Sequence, residues 1–106
     1  MATEHHLTVQ RTARYYTLGE STEQIQNIWF CLHGFGQLAK YFGRKFTDVA
    51  DDETIVVVPE GLSRLYLNGE YQRVGASWLT REDREHEISD FLAYLAGIGI
   101  FKHVFW

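Results

Sequence analysis

Ile28-Trp29-Phe30-Cys31-Leu32-His33-Gly34-Phe35-Gly36-Gln37 is the stretch on which the fold turns. From Ile28 to Leu32 the residues are apolar, aromatic or β-branched and show no in/out alternation. A run of that kind predicts a strand covered on both faces, in the interior of a parallel or mixed sheet. His33-Gly34-Phe35-Gly36 follows, and its glycines let the backbone turn sharply or approach another group without a Cβ clash. An amphipathic pattern begins at Leu38. Strand, glycine turn and helix in succession make a place where backbone N–H groups can face a developing negative charge.

Working downstream, Leu38, Phe42, Phe46, Val49 and Ala50 recur at helical spacing, with Lys40, Arg44, Lys45 and Asp48 on the other face. The spacing predicts a helix of about three turns. Gly43 weakens it by ~1 kcal/mol, and Asp51-Asp52-Glu53 ends it, because acids oppose the dipole at a helix C-terminus. Thr54-Ile55-Val56-Val57-Val58 is a second continuous β-branched run, stopped by Pro59. Strand, helix and strand at this spacing form a βαβ unit with a right-handed crossover and two parallel apolar strands.

Upstream, Leu7–Gln10 and Ala13–Leu18 alternate and predict two short strands, or one bent strand, closed by Gly19. Beyond Glu60, Asn68-Gly69 lies between Arg64–Leu67 and Tyr71–Val74, the signal of a small hairpin with a primed turn. It sits in a long connection of the kind used as a binding loop or cover. Thr80-Arg81-Glu82-Asp83 reads as a helix start. Ile88, Phe91, Leu92 and Leu95 carry the apolar stripe of a second helix from about Arg81 to Leu95, ended by Gly97. The apolar tail from Ile98 to Trp106 reads as a third buried strand.

With 106 residues the chain is one small domain or part of a larger one, and 45% hydrophobic content is too apolar for intrinsic disorder. A net charge of −4 without a Lys/Arg cluster argues against phosphate-mediated nucleic-acid binding. No apolar segment approaches the ~20 residues of a membrane span. Met1–His6 has neither the basic start nor the apolar stretch of a signal peptide, so the expected location is cytoplasmic. Cys31 is the one cysteine and reads as a small buried hydrophobe.

Read together, Trp29–Gln37, Val56-Val57-Val58-Pro59-Glu60-Gly61 and Gly75-Ala76-Ser77-Trp78 before an acidic helix resemble the N-terminal part of an α/β-hydrolase. The likeness is to the phospholipase/carboxylesterase, acyl-protein-thioesterase-like group of serine esterases, and it runs from about Thr12 to Leu95. It implies an α/β chain, 1–106, forming a single incomplete hydrolase domain: N-terminal antiparallel strands, a parallel βαβ with flanking helices, and truncation before the nucleophile elbow. Residues 97–106 are an atypical tail. In that family a His-Gly-x-Gly tip supplies one backbone donor of the oxyanion hole. Carried over, the donor is the N–H of Phe35, with Gly34 and Gly36 permitting the turn, and His33, Gly34, Gly36, Gln37 and Trp78 form the binding set. Such a donor is worth ~3–4 kcal/mol in comparable hydrolases. The family's Gly-x-Ser-x-Gly elbow, with its later acid and histidine, has no counterpart here.

Other side chains read more plainly. Gly75-Ala76-Ser77-Trp78-Leu79 has half of the elbow pattern, but Leu79 replaces the second glycine, so Ser77 is a poor nucleophile and Trp78 suits a pocket mouth. His33 at a strand end suits hydrogen bonding to nearby backbone better than base catalysis. His86-Glu87 resembles a zinc helix, yet Asp90 stands where the second histidine belongs, so that motif fails. His5-His6 reads as a frayed terminus, and Tyr41, Tyr66, Tyr71 and Trp78 as packing residues or the wall of an acyl site. No metal or cofactor is expected. Two functions stay open: an ester-hydrolase fragment, inactive alone, whose complete form takes a small ester; or a non-catalytic half-domain. The second binds a partner or acyl ligand, or self-associates through the exposed Ile28–Leu32 sheet edge.

Overall fold

A computed structural model describes residues 1–69 and 72–99. The chain is mixed α/β, with two small sheets and two α-helices: β1 Tyr15–Leu18, β2 Asn27–Phe30, α1 Ala39–Phe42, β3 Thr54–Pro59, β4 Ser63–Tyr66, β5 Val74–Ser77 and α2 Arg84–Gly97. No helix among the described residues is long and apolar enough to cross a membrane.

The first sheet has the order β1-β3-β2. β3 runs antiparallel to β1, with Leu18 opposite Val56, and parallel to β2, with Phe30 opposite Val57. Its β-branched run is therefore paired on both sides, and Val56, Val57 and Val58 are buried. The strand from the HGFG segment takes a different place. β2 lies at the edge of this sheet and alternates exposed and half-buried residues instead of being covered on both faces. Trp29 is 48% exposed and Leu32 45%. Local composition reported apolarity, but neighbours decide coverage, and among the described residues β2 pairs only with β3.

The three-turn helix expected over 38–50 is one α-helical turn, α1, followed by a 3₁₀ turn at Gly43–Phe46. Gly43 makes the change. A Cβ there would lie 3.3 Å from Val58 Cγ2, so the bare glycine lets the segment sit directly on β3. Leu38 provides no side-chain cap. Cys31, Ala39, Val56 and Val58 form the core, with Tyr16, Leu18, Phe42, Phe46, Val49 and Ala50 packed around it.

The second sheet pairs β4 with β5, Ser63 opposite Ser77 and Tyr66 opposite Val74. Its connection is longer than a two-residue hairpin turn. Asn68 (φ 56°) and Gly69 (φ 70°) do take positive φ, as a primed turn requires, but the closing bond runs from Leu67 N–H to the Arg73 carbonyl at 2.8 Å. Leu7–Gln10 forms no strand, and Leu7 and Val9 are exposed. α2 begins three residues later than expected, at Arg84, with Asp83 at its N-cap in the left-handed region. Tyr71 and the part of the expected third strand from Ile100 onward lie outside the described residues.

Candidate functional site

The two sheets meet at the HGFGQ corner. Gly36 N–H donates to the Ala76 carbonyl and Ala76 N–H to the Gln37 carbonyl, both at 2.9 Å, which ties the corner to β5. Gly36 has φ 79°, a left-handed conformation that suits glycine. Across the bridge, a Cβ on Gly75 would collide with the Gly36 carbonyl, so the close approach requires glycine at 75 while the positive φ favours it at 36. Gly34 N–H donates to Gln37 Oε1 at 2.6 Å, and the Gly34 carbonyl accepts from Gln37 N–H at 3.3 Å. The Gln37 side chain thus braces the turn from within.

Phe35 stands at the tip, 68% exposed, in a turn and outside any ladder. Its N–H donates to no group among the described residues, whereas Gly34, Gly36 and Gln37 on either side all use theirs.

His33 is buried and uses both ring nitrogens on backbone. Nε2 accepts from Gly61 N–H at 2.9 Å, which makes the ring a neutral Nδ1–H tautomer donating to the Gly34 carbonyl at 2.7 Å. With both nitrogens occupied, it cannot take a proton from a nucleophile without losing a structural bond. Trp78 stacks on the imidazole, centroids 5.0 Å apart, and donates from Nε1 to the His33 carbonyl at 2.9 Å. Its other contacts are to Phe91 and Tyr94 of α2. Trp78 is therefore the link between the corner and that helix.

Behind the corner, Glu60 is wholly buried at the end of β3. It accepts from Arg14 Nε at 2.7 Å, Arg64 Nε at 2.8 Å and Ala39 N–H at 3.1 Å. Burial pushes its carboxyl up, but these donors together outweigh burial and hold it below the ordinary value. The sequence offered no sign of this hub, because Arg14 lies 46 residues from Glu60 and Arg64, though four residues away, stands on a separate strand. Tyr94 joins it to α2: its hydroxyl donates to the Arg14 carbonyl at 2.9 Å and accepts from Glu60 N–H at 3.3 Å.

The alternative chemistry finds little support. Ser77 is buried, and its hydroxyl donates to the Leu79 carbonyl at 3.1 Å, with no base among its hydrogen-bond partners. Burial pushes the Cys31 thiol up, away from a reactive thiolate. Tyr41 lies under Lys40 and Arg44, and Tyr66 is half-exposed on β4. A groove of about 690 Å³ is lined by Leu7, Tyr15, Trp78, His86 and Tyr94 among others, but by none of residues 33–37. At its rim, His6 stacks on His86, which pairs with Asp83. His6 is thus held against the start of α2 rather than frayed. No protein-family model matches the chain, and comparison with curated proteins and with solved structures gives no match.

Proposed function

We propose that this chain is the oxyanion-binding part of a serine carboxylesterase or phospholipase-like hydrolase, inactive by itself. One observation carries the reading: Phe35 N–H is unengaged while the Gly34, Gly36 and Gln37 amides around it are bonded, and this corner closes a strand that is parallel to β3. A turn braced by Gln37, His33 and β5 holds such a donor in a fixed position, which is what stabilising a tetrahedral oxyanion demands. The βαβ connection of an α/β-hydrolase accounts for the parallel β2–β3 pair. In a complete enzyme of this class a serine attacks the ester carbonyl, the oxyanion is received by backbone N–H groups, the alcohol departs and water releases the acyl group. The described residues supply the donor and no activated serine.

Two measurements test the reading. In a ¹⁵N-resolved titration with a short-chain alkylphosphonate, an oxyanion mimic, the Phe35 amide should shift more than any other, and F35P should abolish the response. Silence at Phe35 overturns the proposal. Purified chain should not turn over p-nitrophenyl esters. Hydrolysis blocked by phenylmethylsulfonyl fluoride would return Ser77 to consideration.

A second reading, a non-catalytic half-domain that pairs with another copy through β2, is favoured by a separate observation. Among the described residues β2 is an edge strand, and its Trp29, with the neighbouring Leu32 and Phe35, exposes apolar surface.

A further inference from the structure

The helix motif at His86 lacks a second histidine within the helix, but the fold brings one from the other end of the chain. His6, in the irregular N-terminal segment, stacks its ring on that of His86, centroids 4.2 Å apart and planes 28° apart. Asp83 stands between them: Oδ1 is 2.8 Å from His86 Nδ1 and Oδ2 is 3.3 Å from His6 Nε2. The three potential ligand atoms all lie within 4.8 Å of one another.

We propose that His6, Asp83 and His86 form a Zn²⁺ site that staples the N-terminal segment to the first turn of α2. Donors bound at about 2.0–2.1 Å in tetrahedral geometry are separated by about 3.3 Å. The two carboxylate–imidazole separations, 2.8 and 3.3 Å, are close to that value, and no pair of ligand atoms is more than 4.8 Å apart. Two imidazoles and one carboxylate, without sulfur, match the borderline preference of zinc. Three protein ligands leave a fourth position for water, opening on the groove that Trp78 and Tyr94 line. Glu87 is not available as that fourth ligand, since its carboxylate accepts from Thr80 N–H. Glu4 Oε2, 3.1 Å from His6 Nε2, is the group that the metal would displace.

The test is a Zn²⁺ titration of the untagged chain by calorimetry, paralleled by Co²⁺ absorption, with variants H6Q, D83N and H86Q and with H5Q as control. The expected result is one ion per chain, visible Co²⁺ bands of a low-coordinate site, and a raised melting temperature with Zn²⁺. Losing an outer hydrogen-bond partner of a metal ligand costs about 10–100-fold in affinity. Each ligand variant should therefore lose about 100-fold or more, and H5Q almost nothing. All four side chains are exposed, so the variants should keep the wild-type circular dichroism. Where one does not, the imidazole resonances of the wild type decide the matter: Zn²⁺ must move His6 and His86 and leave His33 unchanged. Binding that survives H86Q, or that H5Q weakens as much as H6Q, reduces the site to an adventitious terminal histidine pair and overturns the proposal.

Discussion

Glu60 is the residue on which most of the chain's parts converge: the segment before β1 through Arg14, α1 through Ala39 N–H, and β4 through Arg64. A buried carboxylate is costly unless fully bonded, and removing one member of such a set strands the others. Because Arg14 and Arg64 are 42% and 37% exposed, water screens part of that loss. E60Q should therefore destabilise the chain by about 2–3 kcal/mol at neutral pH. The pH dependence follows from the lowered carboxyl value. A group held below its unfolded value stabilises the fold above the unfolded value, near 4.5, and loses that contribution as pH falls through the folded value. In urea unfolding at a series of pH values, the gap between wild type and E60Q should be widest near neutrality and should narrow below 4.5. A gap that is constant down to the acid transition would show that Glu60 acts by shape alone. The mutual hydrogen bond of His86 and Asp83 is the main cause that raises the imidazole and lowers the carboxyl, with neighbouring charges acting in the same sense.

At the level of elements, the junction between the HGFGQ corner and β5 rests on a missing side chain. G75A would drive a methyl group into the Gly36 carbonyl, between backbone atoms that cannot rotate away. Overpacking of this kind costs about 1–3 kcal/mol. The Gly36 and Ala76 amides, bonded across the junction, should then lose hydrogen-exchange protection together. G97A is the matched control, because nothing lies within 4 Å of a Cβ at the end of α2. It should be neutral or slightly stabilising, as alanine exceeds glycine in helix propensity. Equal effects of the two substitutions in a denaturation series would remove the case for a sterically closed junction. α1 carries the same lesson in another form. Its apolar spacing suited a long helix, but contact of Gly43 with Val58 outweighed propensity and turned the backbone into 3₁₀ geometry.

For the whole molecule, the accessible surface is 8347 Å², against about 6,100 Å² for a compact monomer of this mass. The radius of gyration, 16.0 Å, likewise exceeds the ~13 Å of a compact domain of this length. Residues 1–12, all exposed, account for part of this excess, and the second functional reading places the contact with another copy at the exposed Trp29 and Leu32. Sedimentation equilibrium should detect self-association as concentration rises, and L32K or W29K should abolish it while circular dichroism stays unchanged. A monomer at every concentration would leave the second functional reading without support. The mixed α/β class, the β3 run, the existence of α2 and the glycine tip were legible from the residues alone, whereas of the expected stripe on α2 only Leu95 is buried and Leu92 is exposed. Each depends on spacing and on intrinsic conformational preference, which a local window contains. Which apolar strand lies in the centre, where α1 stops, that Glu60 meets Arg14, and that His6 meets His86 were decided only in three dimensions. These features depend on contacts between distant residues, whose free energy no local pattern encodes.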